Sequence, residues 1–433
     1  MIRYLNSSQK NFNLKLESIL EKRRLPDSKN IIVVKNIIND VKKNKDKAVL
    51  KYEKKFSKLK RLKTSDIKFT DSEINNEIKK LDSKTKKSID LAYNRIYRFH
   101  FKQKTKPYRI KDKYKNILSY LSSPIDKVGV YVPGGTASYP SSVLMNCIPA
   151  LIAGVKEIYM TTPCLNKFYN PAVLYAAKKC KVKEIYKVGG AQAIAALANG
   201  TETIKKVNKI VGPGNTFVAL AKKEVFGIVG IDMIAGPSEV TIIADQSSNP
   251  QWVAADLMAQ AEHDASSQSI LISNNNNLIK KVNFYLRKDL EILKKKKIIK
   301  KSLNDNGLAI YCKSLKATSN IVNLIAPEHL EICVGKPEKI LKRISNAGSI
   351  FLGNYSPEAV GDYVAGTNHV LPTSGTAKFS SGLAVYDFLK RHSVIKISKS
   401  GIEKLGPSVI NLAQYENLDA HANSIKIRLK RKR

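Results

Sequence analysis

Imidazoles, carboxylates and one amide recur at short spacing in the second half of the chain, and these groups move protons and hold metals. Gln260-Ala-Glu-His263-Asp ends a stretch of helical character that starts near Pro250, so Gln260 and His263, three apart, project from one face. Histidine is a common metal ligand and glutamine a rare one, so on pattern alone the two read as a hydrogen-bonded pair, with a metal site as the alternative. Ala326-Pro-Glu328-His329-Leu-Glu331 sets a carboxylate beside an imidazole. In a loop both can face one pocket and serve different steps as acid or base; at a helix start, Glu328 would instead answer the helix dipole. Ala235-Gly-Pro-Ser238 leads into a strand and puts Ser238 at a loop mouth suited to polar contacts. Asp362, His369 and Ser374–Gly382 lie in a long connection rich in Gly, Ser and Thr, as functional or mobile loops are. Alone, Asp362 reads as a turn residue, His369 as a structural histidine, and His421 in the tail as exposed.

The elements that must position these groups read as α/β. From Val128 onward, strand-like runs (128–132, 157–161, 184–188, 209–211, then 240–244, 269–273, 308–312 and 349–352) alternate with helix candidates near 142–154, 171–180, 191–197 and after Pro250. That alternation predicts βαβ units and two related Rossmann-like parallel-sheet units with helices on both faces. Before it, helical spacing over Val33–Phe56 and Ser83–Phe101 predicts packing helices. Residues 1 to about 25 look like a helical arm with little core of its own, and past about Asp387 the chain turns to helix and ends in a basic tail. Three glycine-rich tips follow strands: Val132-Pro-Gly-Gly135, Val188-Gly-Gly190-Ala-Gln192 and Val211-Gly-Pro-Gly-Asn215. Glycine there lets backbone amides approach a phosphate, which points to an anionic cofactor; each tip singly is also a plain tight turn. The G-x-G-x-x-G fingerprint is absent.

Composition narrows the class. A 433-residue chain that is 43% hydrophobic has ample core for two or three units. The longest apolar stretch, 143–155, is broken by Asn146 and Pro149, and the N-terminus makes a poor signal peptide, so no membrane span and a cytoplasmic location are expected. Cys147, Cys164, Cys180, Cys312 and Cys333 are scattered without a C-x-x-C pair and read as buried packing residues. The net charge of +39 raises nucleic acid as a partner. The lysines are dispersed among Asn and Ile rather than gathered, which favours solvated faces instead, and the field still attracts anionic ligands.

Taken together, V-P-G-G, V-G-G-A-Q-A, G-P-G-N, G-P-S-E, Q-A-E-H-D, A-P-E-H-L-E, E-A-V-G-D-Y, N-H-V-L-P-T and S-G-T-A-K-F-S-S-G-L stand in the order of the histidinol dehydrogenase family, which the chain resembles from Val128 to the tail. The resemblance implies a cytoplasmic zinc enzyme that oxidises L-histidinol through bound L-histidinal to L-histidine with NAD, the last step of histidine biosynthesis. It implies zinc held by Gln260, His263, Asp362 and, from a partner subunit's tail, His421. It makes Glu328 and His329 catalytic and gives substrate contacts to Ser238 and Glu416 alongside the zinc ligands and His329. It gives NAD contacts to Tyr131, Gln192 and Asn215, and implies a homodimer with shared sites, no specific nucleic acid and no membrane. The expected division is an N-terminal arm (1–25), a discontinuous main α/β domain (26–131 and 239–383), an inserted Rossmann-like domain (132–238) and a dimerisation tail (384–433). Three rivals predict other behaviour: a nucleic-acid binder with steep salt dependence, a zinc hydrolase needing no NAD, and a thiol-dependent aldehyde dehydrogenase.

Overall fold

The computed structural model describes residues 1–21, 28–57, 63–134, 139–164 and 169–430; Gly135 of the first tip and the last three residues of the basic end lie outside them. Two parallel sheets carry the chain. The five-stranded one has the order Glu184–Tyr186, Glu157–Thr161, Lys127–Tyr131, Lys209–Val211, Gly230–Ile231. Its strands are buried on both faces, as parallel strands between helices must be. Helices Pro140–Ala153 and Pro171–Lys179 cover one face, and Gly190–Asn199 with Thr216–Val225 the other. The six-stranded sheet has the order Arg3–Asn6, Leu308–Tyr311, Gln268–Ser273, Glu239–Ala244, His329–Cys333, Ser349–Leu352. It lies between a helical layer that includes Pro250–Ala261 and one that includes Phe12–Glu21 and Leu315–Ile325. The α/β reading with two parallel-sheet units is therefore correct.

Three features differ from the sequence expectation. The N-terminal arm is no appendage: Arg3–Asn6 is an edge strand of the six-stranded sheet, and Phe12, Leu16 and Leu20 of the following helix are buried in its core. Four residues are too few for period-two alternation to declare a strand. The tail is not all helix either, because Leu389–Lys396 pairs antiparallel with Ile117–Pro124, which also pairs with Tyr108–Lys111. Finally, the region expected within the main domain up to residue 131 sides with the five-stranded sheet. Lys127–Tyr131 is its middle strand, and Ile37, Val41 and Val49 of the Ser28–Phe56 helix pack on the alanine-rich Gly190–Asn199 helix. A helix's own periodicity says which face is buried but not against what.

The tip after Lys209–Val211 is pinned from beneath. Gly212 has φ of 115°, and a side chain there would collide with the Tyr131 carbonyl. Its N–H donates to Asp232 (2.8 Å) and its carbonyl accepts from Lys222 Nζ (2.9 Å), while Lys222 and Asp232 form a fully buried ion pair. Removing one partner of such a pair leaves an uncompensated charge in the core. Lys222→Met is expected to cost about 3–5 kcal/mol, read as a lower midpoint of urea unfolding; an unchanged midpoint would contradict the clamp.

Candidate active site

The amino ends of two neighbouring strands, Glu239–Ala244 and His329–Cys333, collect the chemistry. His329 and Val240 stand opposite in register, which brings Glu328 and His329 beside Glu239. The Glu239 N–H donates to Glu328 Oε2 (2.8 Å), and the Glu239 carbonyl accepts from His329 Nδ1–H (3.0 Å). That bond makes Nδ1 a donor and leaves Nε2, among the described residues, without a hydrogen-bond partner. Nε2 lies 3.6 Å from Asp362 Oδ1. The segment expected as a loop or helix start is thus the mouth of a buried strand. Ala326 enters it in a left-handed conformation (φ 52°), and Gly348 gives room to the Glu328 carbonyl, which a Cβ would approach to 2.6 Å.

Gln260 and His263 reach this point from the C-terminal end of the Pro250–Ala261 helix. Gln260 is fully buried. Its amide is satisfied when the nitrogen donates to Glu358 and the oxygen accepts from the Glu239 N–H (2.6 Å). His263 is on the exposed rim, yet one ligand atom each of His263, Glu358 and Asp362 falls within 4.8 Å of the others. Glu358 and Asp362 share the short Glu358–Tyr363 helix, four residues apart and so on one face. The sequence reading passed over Glu358, although that spacing within E-A-V-G-D-Y would have found it. The backbone role of Glu239 had no such signal.

Electrostatics mark the site as short of positive charge. Burial pushes the Glu328 carboxyl up to about 7, with His329 opposing. Burial, and then Asp362, Glu331 and Glu328, raise Glu358 well above the carboxylate range despite His329. Asp362 is pushed up by burial, but contact with His329 overrides this and holds it low. Burial resists protonation of His329, yet Glu358, Glu328 and Asp362 together hold it well above the usual histidine range. Among the described residues no lysine or arginine pairs with Glu328, Glu358 or Asp362. A divalent cation would supply the missing charge, and an amide oxygen, an imidazole and a carboxylate are donors that suit zinc and its first-row neighbours. The residues present therefore fit a metal.

His369, half-buried with its basicity lowered by burial, bridges the two sheet units structurally. Nδ1–H donates to the Asp362 carbonyl (3.0 Å), and Nε2 meets Ser142 Oγ of the Pro140–Ala153 helix (3.4 Å). Ser238 is half-buried next to Glu239 at the mouth. Glu416 and His421 are exposed on the hairpin of helices Lys399–Tyr415 and Asp419–Leu429, and no hydrogen bond or ion pair joins them to the cluster within one chain. All five cysteines are buried as expected, and burial pushes the thiol of Cys164 up to about 12 and that of Cys333, the one nearest the cluster along the chain, higher still. Neither is a ready thiolate.

The glycine tips lie at the carboxyl ends of the five-stranded sheet, but in the second and third the first amides are not free for phosphate. Gly189 N–H donates to Glu53 (3.0 Å), Gly190 N–H to the Tyr131 hydroxyl (3.1 Å) and Gly212 N–H to Asp232. Tyr131 and Gln192 are buried beneath the second tip, while Asn215 stands exposed and caps the next helix at the Val218 N–H (3.1 Å). These tips are braced by side chains from below, which corrects the simple reading of open amide cradles.

The chain is similar to known proteins along its whole length. The family model described as histidinol dehydrogenase matches residues 20–429. Histidinol dehydrogenase of Pelagibacter ubique is 55% identical over 433 residues, 100% of both chains, and that of Clostridium acetobutylicum 49% identical over 96% of each. A crystal structure of histidinol dehydrogenase from Elizabethkingia anophelis superposes with a TM-score of 0.93 at 38% identity, covering 99% of this chain and 98% of that one. With a model match and relatives of this identity along its full length, the chain belongs to the histidinol dehydrogenase family, a family of NAD-linked oxidoreductases.

Proposed function

We propose that this enzyme oxidises L-histidinol to L-histidine in two NAD-linked steps, closing histidine biosynthesis, with L-histidinal held between them. The observation that carries the reading is the pairing of two differently set bases at one strand mouth. His329 has an Nε2 with no hydrogen-bond partner among the described residues, and Glu328 is a buried carboxyl pushed up to about 7. Gln260, His263 and Asp362 would hold zinc, which would supply a template for the substrate's amine and imidazole. Tyr131, Gln192 and Asn215 would hold NAD, which would supply the hydride acceptor for both oxidations.

In the first step His329, neutral once a cation offsets the carboxylates around it, takes the hydroxyl proton of histidinol at Nε2 as hydride leaves the carbinol carbon. In the second, Glu328 takes a proton from the water that adds to the aldehyde, and the hydrate loses the second hydride. Water thus supplies the second oxygen of the carboxylate; the first oxidation removes one hydride and one proton, and the second one hydride and two protons. No thioester is needed, in keeping with thiols that burial keeps protonated.

The tail supports a homodimer. Leu412, Tyr415, Leu418 and Ile427 are exposed on its helical hairpin, and Val394 and Ile395 on the strand before it. So much apolar surface on an outlying element favours a covering partner. A second copy would bring His421 to the metal and Glu416 to the substrate.

Two NADH per histidinol, lost on chelation and regained with zinc, are expected; stoichiometry of one, or turnover indifferent to chelators, would defeat the reading. Glu328→Gln should spare alcohol oxidation and slow histidinal oxidation by about 10²–10⁴. Equal loss of both steps would end the division of labour.

The pH dependence follows from the same carboxyl. Glu328 must be ionised to act as base, and with its carboxyl at about 7 histidinal oxidation should rise with pH through that value. Glu328→Gln should lack this limb in stopped-flow rates.

Glu358 accepts from the Gln260 amide nitrogen and so fixes the side on which the amide oxygen lies. Glu358→Leu should therefore weaken zinc by about 10- to 100-fold in competition with a chromophoric chelator, and unchanged affinity would remove Glu358 from the metal's support.

Mixing Glu328→Gln with His421→Ala protein should restore the histidinal oxidation that neither sustains alone. Absence of rescue in confirmed heterodimers would mean that each chain completes its own site.

A further inference from the structure

Glu53 lies near the end of the Ser28–Phe56 helix, far from the strand mouth described above, and is 3% exposed with no lysine or arginine bonded to it among the described residues. It has three donors instead. Oε1 accepts from the Gly189 N–H (3.0 Å) and from Gln192 Nε2 (2.8 Å), and Oε2 accepts from Ser57 Oγ (2.6 Å). A residue that only filled the gap between two apolar helices would be apolar, since burying a carboxylate costs free energy unless bonds compensate. These bonds converge on the second glycine tip. With its nitrogen committed to Glu53, Gln192 keeps its oxygen buried behind Gly190 and, among the described residues, without a partner. Gly190 itself has φ of 63° and is held by Tyr131.

We infer that Glu53 is a positioning residue for the dinucleotide: it turns the Gln192 amide so that an acceptor oxygen remains for a hydroxyl or amine of the ligand, and it withholds the Gly189 amide from phosphate. The inference rests on the proposed seating of NAD at these tips. It makes this part of the pocket a reader of a ribose or base donor rather than an anion cradle. An unmatched buried acceptor costs free energy, so a ligand that supplies the donor gains what the free protein lacks.

The test uses zinc-loaded, full-length enzyme at saturating histidinol with NAD varied. Glu53→Gln keeps an oxygen for Gly189 and Gln192 and can donate to Ser57, so its KM for NAD should stay within about twofold of wild type. Glu53→Met frees the amide, and KM for NAD should rise about tenfold with kcat and the KM for histidinol unchanged. A Glu53→Met enzyme with wild-type KM for NAD, or one in which kcat and both KM values worsen together, overturns the inference. Should that variant not fold, Glu53→Asp withdraws the acceptor by one methylene and is held to the same outcomes. Cofactor analogues add an independent measurement: removing the adenine amine, the carboxamide amine or a ribose hydroxyl in turn should identify one group whose loss harms wild type but not Glu53→Met. If every analogue affects both enzymes alike, Glu53 does not set a donor contact. Calorimetric titration of wild type with NAD separates the two readings. No binding at all would discard the cofactor site itself, whereas binding that Glu53→Met leaves intact would discard only the role of Glu53.

Discussion

One residue's backbone, that of Glu239, organises the candidate active site. Its N–H is shared by Glu328 and Gln260, its carbonyl takes the Nδ1 proton of His329, and its side chain accepts from the Ser374 N–H (3.0 Å). Glu239 can do this because it opens a strand locked between two parallel neighbours, Gln268–Ser273 and His329–Cys333. Register is the constraint: a one-residue slip of the His329 strand would turn its imidazole to the opposite face and break the bonds that Glu328 and His329 make to Glu239. The surrounding core, with Val240, Ile242, Leu330 and Ile332 all fully buried, is what makes such a slip prohibitive.

The same fixed scaffold forces an electrostatic problem. Glu328, Glu358 and Asp362 are brought around His329, and behind them Asp256 and Glu331 face one another, both pushed up by burial so that the pair retains a proton. Glu331 uses its other capacity to accept the Glu358 N–H (2.7 Å). Acidic side chains packed this densely persist only when protons, hydrogen bonds or a cation offset them. Protons are held at the back, in the Asp256–Glu331 pair, and hydrogen bonds in the middle, at Gln260 and Glu239. The front, where His263 stands on the rim, is where a metal fits. This ordering suits a glutamine at position 260: an amide is neutral, and its nitrogen and oxygen answer a carboxylate and a backbone N–H at once.

How much of this was legible in the sequence depends on the kind of interaction. Runs such as 157–161, 209–211 and 349–352 coincide with strands because parallel strands need continuous apolar stretches. His329–Cys333 was not recognised as a strand because Glu331 and His329 interrupt that pattern for chemical reasons. Gln260, His263 and Asp362 do converge with Glu328 and His329. Glu416 and His421 do not join them within a single chain, and the resemblance had already assigned His421 to a partner's tail. Glu53 and the Lys222–Asp232 pair left no trace, since their meaning lies in backbone amides remote in sequence.

The two sheets obey opposite placement rules, and the reaction gives a reason. Tips at the carboxyl ends of the five-stranded sheet follow the general tendency of parallel sheets to bind ligands there. The Glu239 and His329 mouth instead lies at the amino ends of the six-stranded sheet. Ser142 to His369 and Asn368 to the Met145 carbonyl (2.7 Å) tie the helix after the first tip to the connection after Asp362. In a hydride transfer the cofactor and the carbon it oxidises must meet, so one unit's carboxyl edge has to face whatever edge the other unit offers. With the bases on the amino edge, backbone groups at the strand starts, rather than helix N-termini, become the means of fixing them. That choice leaves His329 without a helix dipole to lower its basicity, so its protonation is governed by the carboxylates around it and by whatever cation they hold.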